Sequence, residues 1–390
     1  MSEKVLDGVK VLDLGWGIAN PLALKFLADY GATVICVESL ERPSLLRTNQ
    51  PYKDREPGID RSGYYAYLFA NVHSITLDLK KTNDLEIVKR LVAWADVVGD
   101  SHRPGVAERW GLAYEEVRKI KPDIIMIRSS SQGLTGPRAS YRGYGNNLNG
   151  LVGFVNLTGW PDREPICFMM AYTDYFVPHF AVAALVGALE YRRRTGKGQL
   201  LDISQLEVGL QLLAPWLLNY SVNGVEEKAK GNRCDYAAPH GVYRCLGEDR
   251  WCAISVFTDA EWEAFCVAIG EPSWTQQRKF ATLRGRKKNE DELDRLIEEW
   301  TCNRDAYEVM HLLQKAGVAA GVVQNARDLY DDHHLKERGS FWVAEHPVLG
   351  NFSFLAQPSR LSKTPAQLYR PAPCLGEHNE YVRHELLGMP

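Results

Sequence analysis

The first 130 residues alternate short β-branched runs with helical stretches, and few architectures accommodate that rhythm. Val9-Lys10-Val11-Leu12-Asp13-Leu14 reads as a strand that stops at Gly15. Pro21 to Tyr30 fits a helix with proline in its first turn and Gly31 as its stop. Thr33 to Glu38 is a second strand, and Ile75 to Leu79 a third. Asn83 to Trp94 reads as a helix, with Asn83 and Glu86 at capping-box spacing, and Asp96-Val97-Val98 and Ile124 to Ile127 as further strands. Parallel strands need crossover connections and helices supply them, so the pattern predicts an α/β fold built on a doubly wound parallel sheet.

Further along, the texture changes. Residues 129–165 are rich in Gly, Ser and Asn with little helical periodicity, and are expected to form a long binding loop. Asp174 then precedes a long apolar helix that ends in Arg192-Arg193-Arg194 and stops at Thr195-Gly196-Lys197-Gly198. Gln199 to Ser204 reads as a strand and Leu206 to Tyr220 as one apolar helix. Glu226, Glu227, Lys228 and Lys230 suit a linker, beyond which residues 240–325 read as a smaller α+β unit. Its clearest strand is Trp251 to Val256, and Thr258 with Glu261 forms a capping box before Trp262. A Pro- and Gly-punctuated stretch from about 330 leads to a helical tail at His378 to Leu387.

Composition narrows the function. With 46 Lys+Arg against 49 Asp+Glu in 390 residues, the net charge of −3 argues against a nucleic-acid binder or a polybasic membrane anchor. No run reaches the roughly 18 apolar residues that span a bilayer, and charged residues near the N-terminus leave no signal-peptide core. The eight cysteines stand apart without a Cys-x-x-Cys pair, which fits buried thiols in a reduced, cytoplasmic protein. No histidine or cysteine spacing matches a metal site, so none is expected.

Four features carry candidate chemistry. Gly15-Trp16-Gly17-Ile18-Ala19-Asn20 resembles the dinucleotide fingerprint, and Glu38 ends the second strand where a ribose-binding acid would sit. Asn20 replaces the third glycine, which weakens the NAD reading, yet a turn at a helix start still offers N–H groups to an anion. Asp174 sits where a helix N-terminus favours its ionised form, suited to a nucleophile or base; an aspartate there more often simply caps. His73, His102 and His240 lie in or beside loops, where a histidine is usually solvated. Arg284, Arg286, Lys287 and Lys288 read as a solvated charged face, and Arg192 to Arg194 as a response to the helix dipole. Both the Gly-x-Ser-x-Gly elbow and the P-loop are missing from the sequence.

Taken together, a set of landmarks resembles the family III coenzyme A transferases, which include formyl-CoA, carnitine and benzylsuccinate CoA transferases. These are Leu6 to Asp13, Ser74 to Lys80, Arg103-Pro104-Gly105-Val106, Gly133 to Pro137, Glu190 to Gln199, Pro239 to Tyr243, Ala316-Gly317-Val318 and Ala372 to His378. The resemblance covers nearly the whole chain. It implies a Rossmann-like large domain built from both termini (1–224 with a returning segment 329–390), a small domain at 225–328, and an interlocked dimer. It implies that Asp174 is the nucleophile, forming an acyl-aspartyl anhydride and then an aspartyl-CoA thioester. Coenzyme A would be a substrate rather than a tightly bound cofactor, passing from an acyl-CoA donor, such as succinyl-CoA, to a carboxylic acid.

The resemblance also places Ile18 and Ala19 at the thiol end of the coenzyme. Ser39, Asn71, Val72, Ser101, His102, Arg103 and Arg109 fall at nucleotide or pantetheine contacts, and Arg142 where a basic residue meets phosphate. Some positions depart from the family pattern. Ile18 stands where formyl-CoA transferase has glutamine, Asn71-Val72-His73-Ser74 replaces Asn-Lys-Arg-Ser, Asp100-Ser101-His102 replaces Glu-Asn-Phe, and Gly145 replaces an acid. Ile18, with Trp16, Phe154, Trp160 and Phe168 near the loop, points to a bulky or apolar acceptor, such as an aromatic-substituted succinate. Two other readings stay open: a weakly active subunit of a hetero-oligomeric transferase, and a racemase. The racemase would need a histidine where Tyr144 stands.

Overall fold

The computed structural model describes residues 4–167 and 170–390, which form two compact units. The first gathers residues up to 155, 167–226 and 334–390; the second takes 156–166 and 227–333.

The first unit is built on six parallel strands: β1 (Lys10–Asp13), β2 (Thr33–Glu38), β3 (His73–Thr76), β4 (Val97–Asp100), β5 (Ile125–Ser130) and β6 (Leu200–Ser204), in the order 3-2-1-4-5-6. Its helices are α1 (Ala19–Asp29), α2 (Gly63–Leu68), α3 (Thr82–Trp94), α4 (Val106–Arg109), α5 (Tyr114–Ile120), α6 (Gly145–Val152), α8 (Tyr172–Thr195), α9 (Gln205–Leu212) and α10 (Ala214–Asn223), while the short α7 (Phe154–Leu157) spans the boundary between the units. Side chains alternate across a strand, so neighbouring residues enter opposite cores. Val11, Val34, Val97 and Ile125 join Leu24 and Leu27 of α1 and Leu185 of α8 on one face. Leu12, Ile35, Val98 and Met126 join Val88 and Leu91 of α3 and Val117 of α5 on the other. The doubly wound α/β sheet is therefore present as the strand pattern predicts.

The close approach of α1 to the sheet has an unexpected source. The glycine that normally permits it is Asn20, fully buried here. The room comes from the strand side instead. A Cβ on Gly99 of β4 would stand 2.3 Å from Leu24 Cδ1 and 2.6 Å from Asn20 Nδ2.

Other local readings shift for identifiable reasons. Residues 129–165 are not wholly irregular, since α6 and α7 lie within them. Burial of Leu148 and Val152 holds α6 against α9, where a Cβ on Gly209 would stand 2.5 Å from Val152 Cγ2, so packing overrides poor propensity. The single helix expected over Leu206–Tyr220 is two, broken at Leu213 with Pro215 in the first turn of α10. α3 begins at Thr82 without a side-chain cap; Asp84 accepts from the Asp78 amide instead.

The second unit carries an antiparallel sheet of β7 (His240–Arg244), β8 (Trp251–Ser255) and β9 (Ala319–Val322). Helices α11 (Asp259–Ala268), α12 (Leu283–Lys288), α13 (Glu290–Thr301) and α14 (Ala306–Lys315) pack around a core that includes Phe265, Phe280, Ile297 and Leu313. Thr258 and Glu261 do form the capping box that opens α11. The basic run is a solvated face only at Arg284 and Lys288, which are exposed. Arg286 is fully buried, bonded to the Ala238 and Phe280 carbonyls and to Asp259, while Lys287 pairs with Glu290.

Residues 334–390 return to the first unit as a hairpin, β10 (Phe341–His346) and β11 (Gly350–Leu355), and a tail. The tail ends in a wide helical turn at Tyr381–Leu386. No helix among the described residues is long and apolar enough to cross a membrane.

Candidate active site

The sheet order reverses between β1 and β4, and ligands of open α/β sheets bind in the crevice outside the strand carboxyl ends at such a point. The turn Gly15 to Ile18 leaves β1 here. Ser101, just after β4, clamps it: its hydroxyl accepts from the Trp16 amide at 2.7 Å and donates to the Trp16 carbonyl at 2.8 Å. Ile18 is the N-cap of α1, and Ala19 packs on Val177 of α8 and Val208 of α9. This contact brings the turn to the first two turns of α8, where Asp174 lies.

Asp174 is not the cap of its helix. Ala171 occupies that position, without a side-chain cap, and Asp174 is the third residue of the first turn. Pro178 follows four residues later; lacking an N–H, it leaves the Asp174 carbonyl without its usual helical donor. The Asp174 carboxylate accepts from the Gln205 side chain at the start of α9. Gly145, first residue of α6, packs directly on it. A Cβ there would lie 2.8 Å from Asp174 Oδ2 and 2.2 Å from the Ala171 Cβ. The acid that the family resemblance leads one to expect at this position would have no space here. Burial pushes the Asp174 carboxyl up to about 6, and the Gln205 hydrogen bond only partly offsets it. Beside it, the hydroxyls of Tyr64 (α2) and Tyr175 are hydrogen-bonded to each other, and both are raised by burial and by the Asp174 charge.

Three acidic residues end the strands beneath the crevice, and the charge of each is opposed by burial or by a cation. Burial raises Asp13 to about 7, although the Gly15 amide donates to it at 2.8 Å. Glu38 accepts a bidentate guanidinium from the fully buried Arg47. Asp100 holds Arg128 at 2.9 Å and His102 Nδ1 at 2.7 Å. Arg103, Arg109 and Arg142 are exposed and make no carboxylate ion pair among the described residues.

The remaining sequence-derived positions divide. Ser39 follows β2 at the crevice, where its hydroxyl accepts from the Glu41 amide. Asn71 and Val72 do not reach it, for they precede β3 at the opposite end of the sheet. Val72 is fully buried in the core. The Asn71 amide is spent on Asp29 and the Gln367 carbonyl, and its oxygen on the amides of Tyr369 and Arg370. His73 is likewise buried rather than solvated, against Arg370, and is lowered to about 4. Phe154 packs edge-on against Tyr172, Trp160 belongs to the second unit, and Phe168 lies outside the described residues. Gln205, Tyr64 and Tyr175 escaped the sequence reading, because nothing in their spacing announces a neighbour so distant along the chain.

The chain matches the model of CoA-transferase family III over residues 6–379. It belongs to that family. Among curated relatives, succinyl-CoA–D-citramalate CoA-transferase of Chloroflexus aurantiacus is 34% identical over 98% of this chain and 94% of its own. Succinate–glutarate CoA-transferase of Agrobacterium fabrum is 30% identical over 98% and 95%. The alpha and beta subunits of succinyl-CoA–L-malate CoA-transferase of Chloroflexus aurantiacus are 28% and 27% identical, each over 98% of this chain and over 89% and 94% of their own. A crystal structure of a CaiB/BaiF family protein from Brucella suis superposes with a TM-score of 0.90, at 32% identity, over 99% of this chain and 100% of the other. As a family III enzyme the chain acts on CoA thioesters, and its parallel sheet is the framework it shares with that neighbour.

Proposed function

We propose that the chain transfers coenzyme A from succinyl-CoA to a small dicarboxylic acid through Asp174. The observation that carries the reading is the half-buried carboxylate at the start of α8, held by Gln205 and pressed by Gly145. Its ionised form attacks the thioester carbonyl, giving an acyl-aspartyl anhydride and CoA thiolate. The thiolate attacks the aspartyl carbonyl, the donor acid departs, and an aspartyl-CoA thioester remains. The acceptor carboxylate displaces the thiolate to form a second anhydride, whose acceptor carbonyl the thiolate then takes. One thioester is made for each one broken, so no nucleotide hydrolysis is needed. The amides opening α6, beside Gly145, serve the oxyanion of each step.

Ile18, Ala19, Ser39, Ser101, His102, Arg103, Arg109 and Arg142 hold the coenzyme in this reading, with Asn71 and Val72 acting through the fold. The relatives' names favour a dicarboxylic acceptor over the apolar acid suggested by Ile18. Incubation with succinyl-CoA followed by borohydride should modify Asp174, as read by peptide mass spectrometry. An unmodified Asp174 during measurable transfer would end the proposal.

Two copies interlock in this reading. Its support is α10, an apolar helix with Trp216, Leu217, Leu218, Tyr220 and Val222 all exposed and no buried residue. A second reading, a pair of related subunits, draws on the similarity to both an alpha and a beta subunit. Activity of the chain purified alone decides between them.

A further inference from the structure

The crevice contains a cation that neither the family resemblance nor the strand-end acids account for. Arg42, on the loop after β2, lays its guanidinium over the Trp16 ring, 4.6 Å from its centroid. Trp16 is fixed on its other sides, by Ser101 through its backbone and by the Pro43 carbonyl through Nε1 at 3.3 Å. The platform under Arg42 is therefore tied to the ends of β1, β2 and β4 together. Arg42 is exposed and makes no carboxylate ion pair among the described residues, whereas its neighbour Glu41 pairs with Lys80 and nearby Arg47 is committed to Glu38 and Asp60. Ser39, which follows β2 at the same edge of the crevice, is neutral, and its hydroxyl is engaged by the Glu41 amide.

We propose that Arg42, seated on Trp16, binds the phosphates of the coenzyme's nucleotide. The assignment rests on the CoA-transfer reading above. An arginine stacked on an aromatic face keeps its donor edge free and loses little freedom on binding, which suits a multiply charged phosphate. The strand-end carboxylates below would repel such a ligand if they were charged and unpaired, but Arg47 compensates Glu38 and Arg128 compensates Asp100. Arg42 thus supplies charge at the place where Ser39 does not.

Calorimetric titration of the full chain with CoA and with adenosine 3′,5′-bisphosphate, which lacks the pantetheine arm, tests this. Arg42→Ala should weaken both ligands by about tenfold, as expected for loss of a charged hydrogen bond. Arg42→Lys should recover part of that loss, and Trp16→Leu should weaken both ligands by less than Arg42→Ala. The slope of log Kd against log salt should become shallower in Arg42→Ala. Unchanged Kd values for both ligands in Arg42→Ala, or weakened CoA with unaffected bisphosphate, would overturn the assignment. Thermal unfolding of each variant separates a misfolded chain from a lost contact. Wild-type chain that binds neither ligand and transfers no CoA would sink the transfer reading itself, a result distinct from binding that survives the loss of Arg42.

Discussion

At Asp174 the N-termini of α8 and α6 favour the carboxylate while burial opposes it, and burial prevails, leaving the group at about 6 rather than 3.8. Only the ionised form attacks a thioester. The rate should therefore fall about tenfold per pH unit below about 6 and level off above it. A pH profile of kcat/KM with no limb above pH 5 would show that burial is not felt. Gln205 lowers the same group, so Gln205→Leu should move the limb to higher pH while Asp174→Asn removes transfer by on the order of 10³-fold. Asp13 is a second raised carboxyl, with consequences for stability rather than rate. Its folded value of about 7 exceeds the unfolded one, so the native state holds the proton more tightly. Stability from this group is full below about pH 4 and declines as pH rises toward 7, by about 4 kcal/mol at 1.36 kcal/mol per unit. Asp13→Asn should abolish that decline, and urea titrations at pH 5 and 8 measure about 3 kcal/mol of it, the part that falls between pH 5 and 7.

Elements were legible in the sequence where local pattern and tertiary contact agree. The β-branched runs of β1, β2 and β5 and the capping box of α11 need no distant partner to be recognised. Where distant groups decide the outcome, the sequence misleads. Asp174 stands out in the sequence ahead of a long apolar helix, but its place inside the first turn depends on the backbone of Ala171, and its partner Gln205 lies on another helix. Arg286 reads as a surface cation because the carbonyls of Ala238 and Phe280 that satisfy it are invisible in the local sequence. The fingerprint turn is the sharpest example. Asn20 suggests poor packing of α1, yet Gly99 on β4 provides the space. Gly99→Ala should therefore lower stability by about 1–3 kcal/mol, since the new methyl meets Leu24 within the packed core. Denaturant unfolding reads this directly, and an unchanged midpoint would mean that α1 can retreat without penalty.

At the scale of the whole molecule, the first unit is closed by residues far apart in sequence. Asp29 of α1 is buried and shared by Lys25, Asn71 and Gln357, and Arg47 reaches the Pro373 carbonyl. The tail thus completes the hydrogen bonding of buried charges whose ion pairs, Asp29 with Lys25 and Arg47 with Glu38 and Asp60, are made within the N-terminal half. What this closure leaves uncovered is α10. A helix of this composition with no buried residue exposes more apolar surface than a monomer ordinarily tolerates. Light scattering should return twice the chain mass of 44.0 kDa, and Leu218→Glu combined with Val222→Glu should reduce it to one chain. Neither residue supports the monomer's own core, so the double variant should keep its far-UV spectrum while losing its partner. A wild-type chain that elutes as a monomer across the micromolar range would mean that α10 is covered by something other than a second copy.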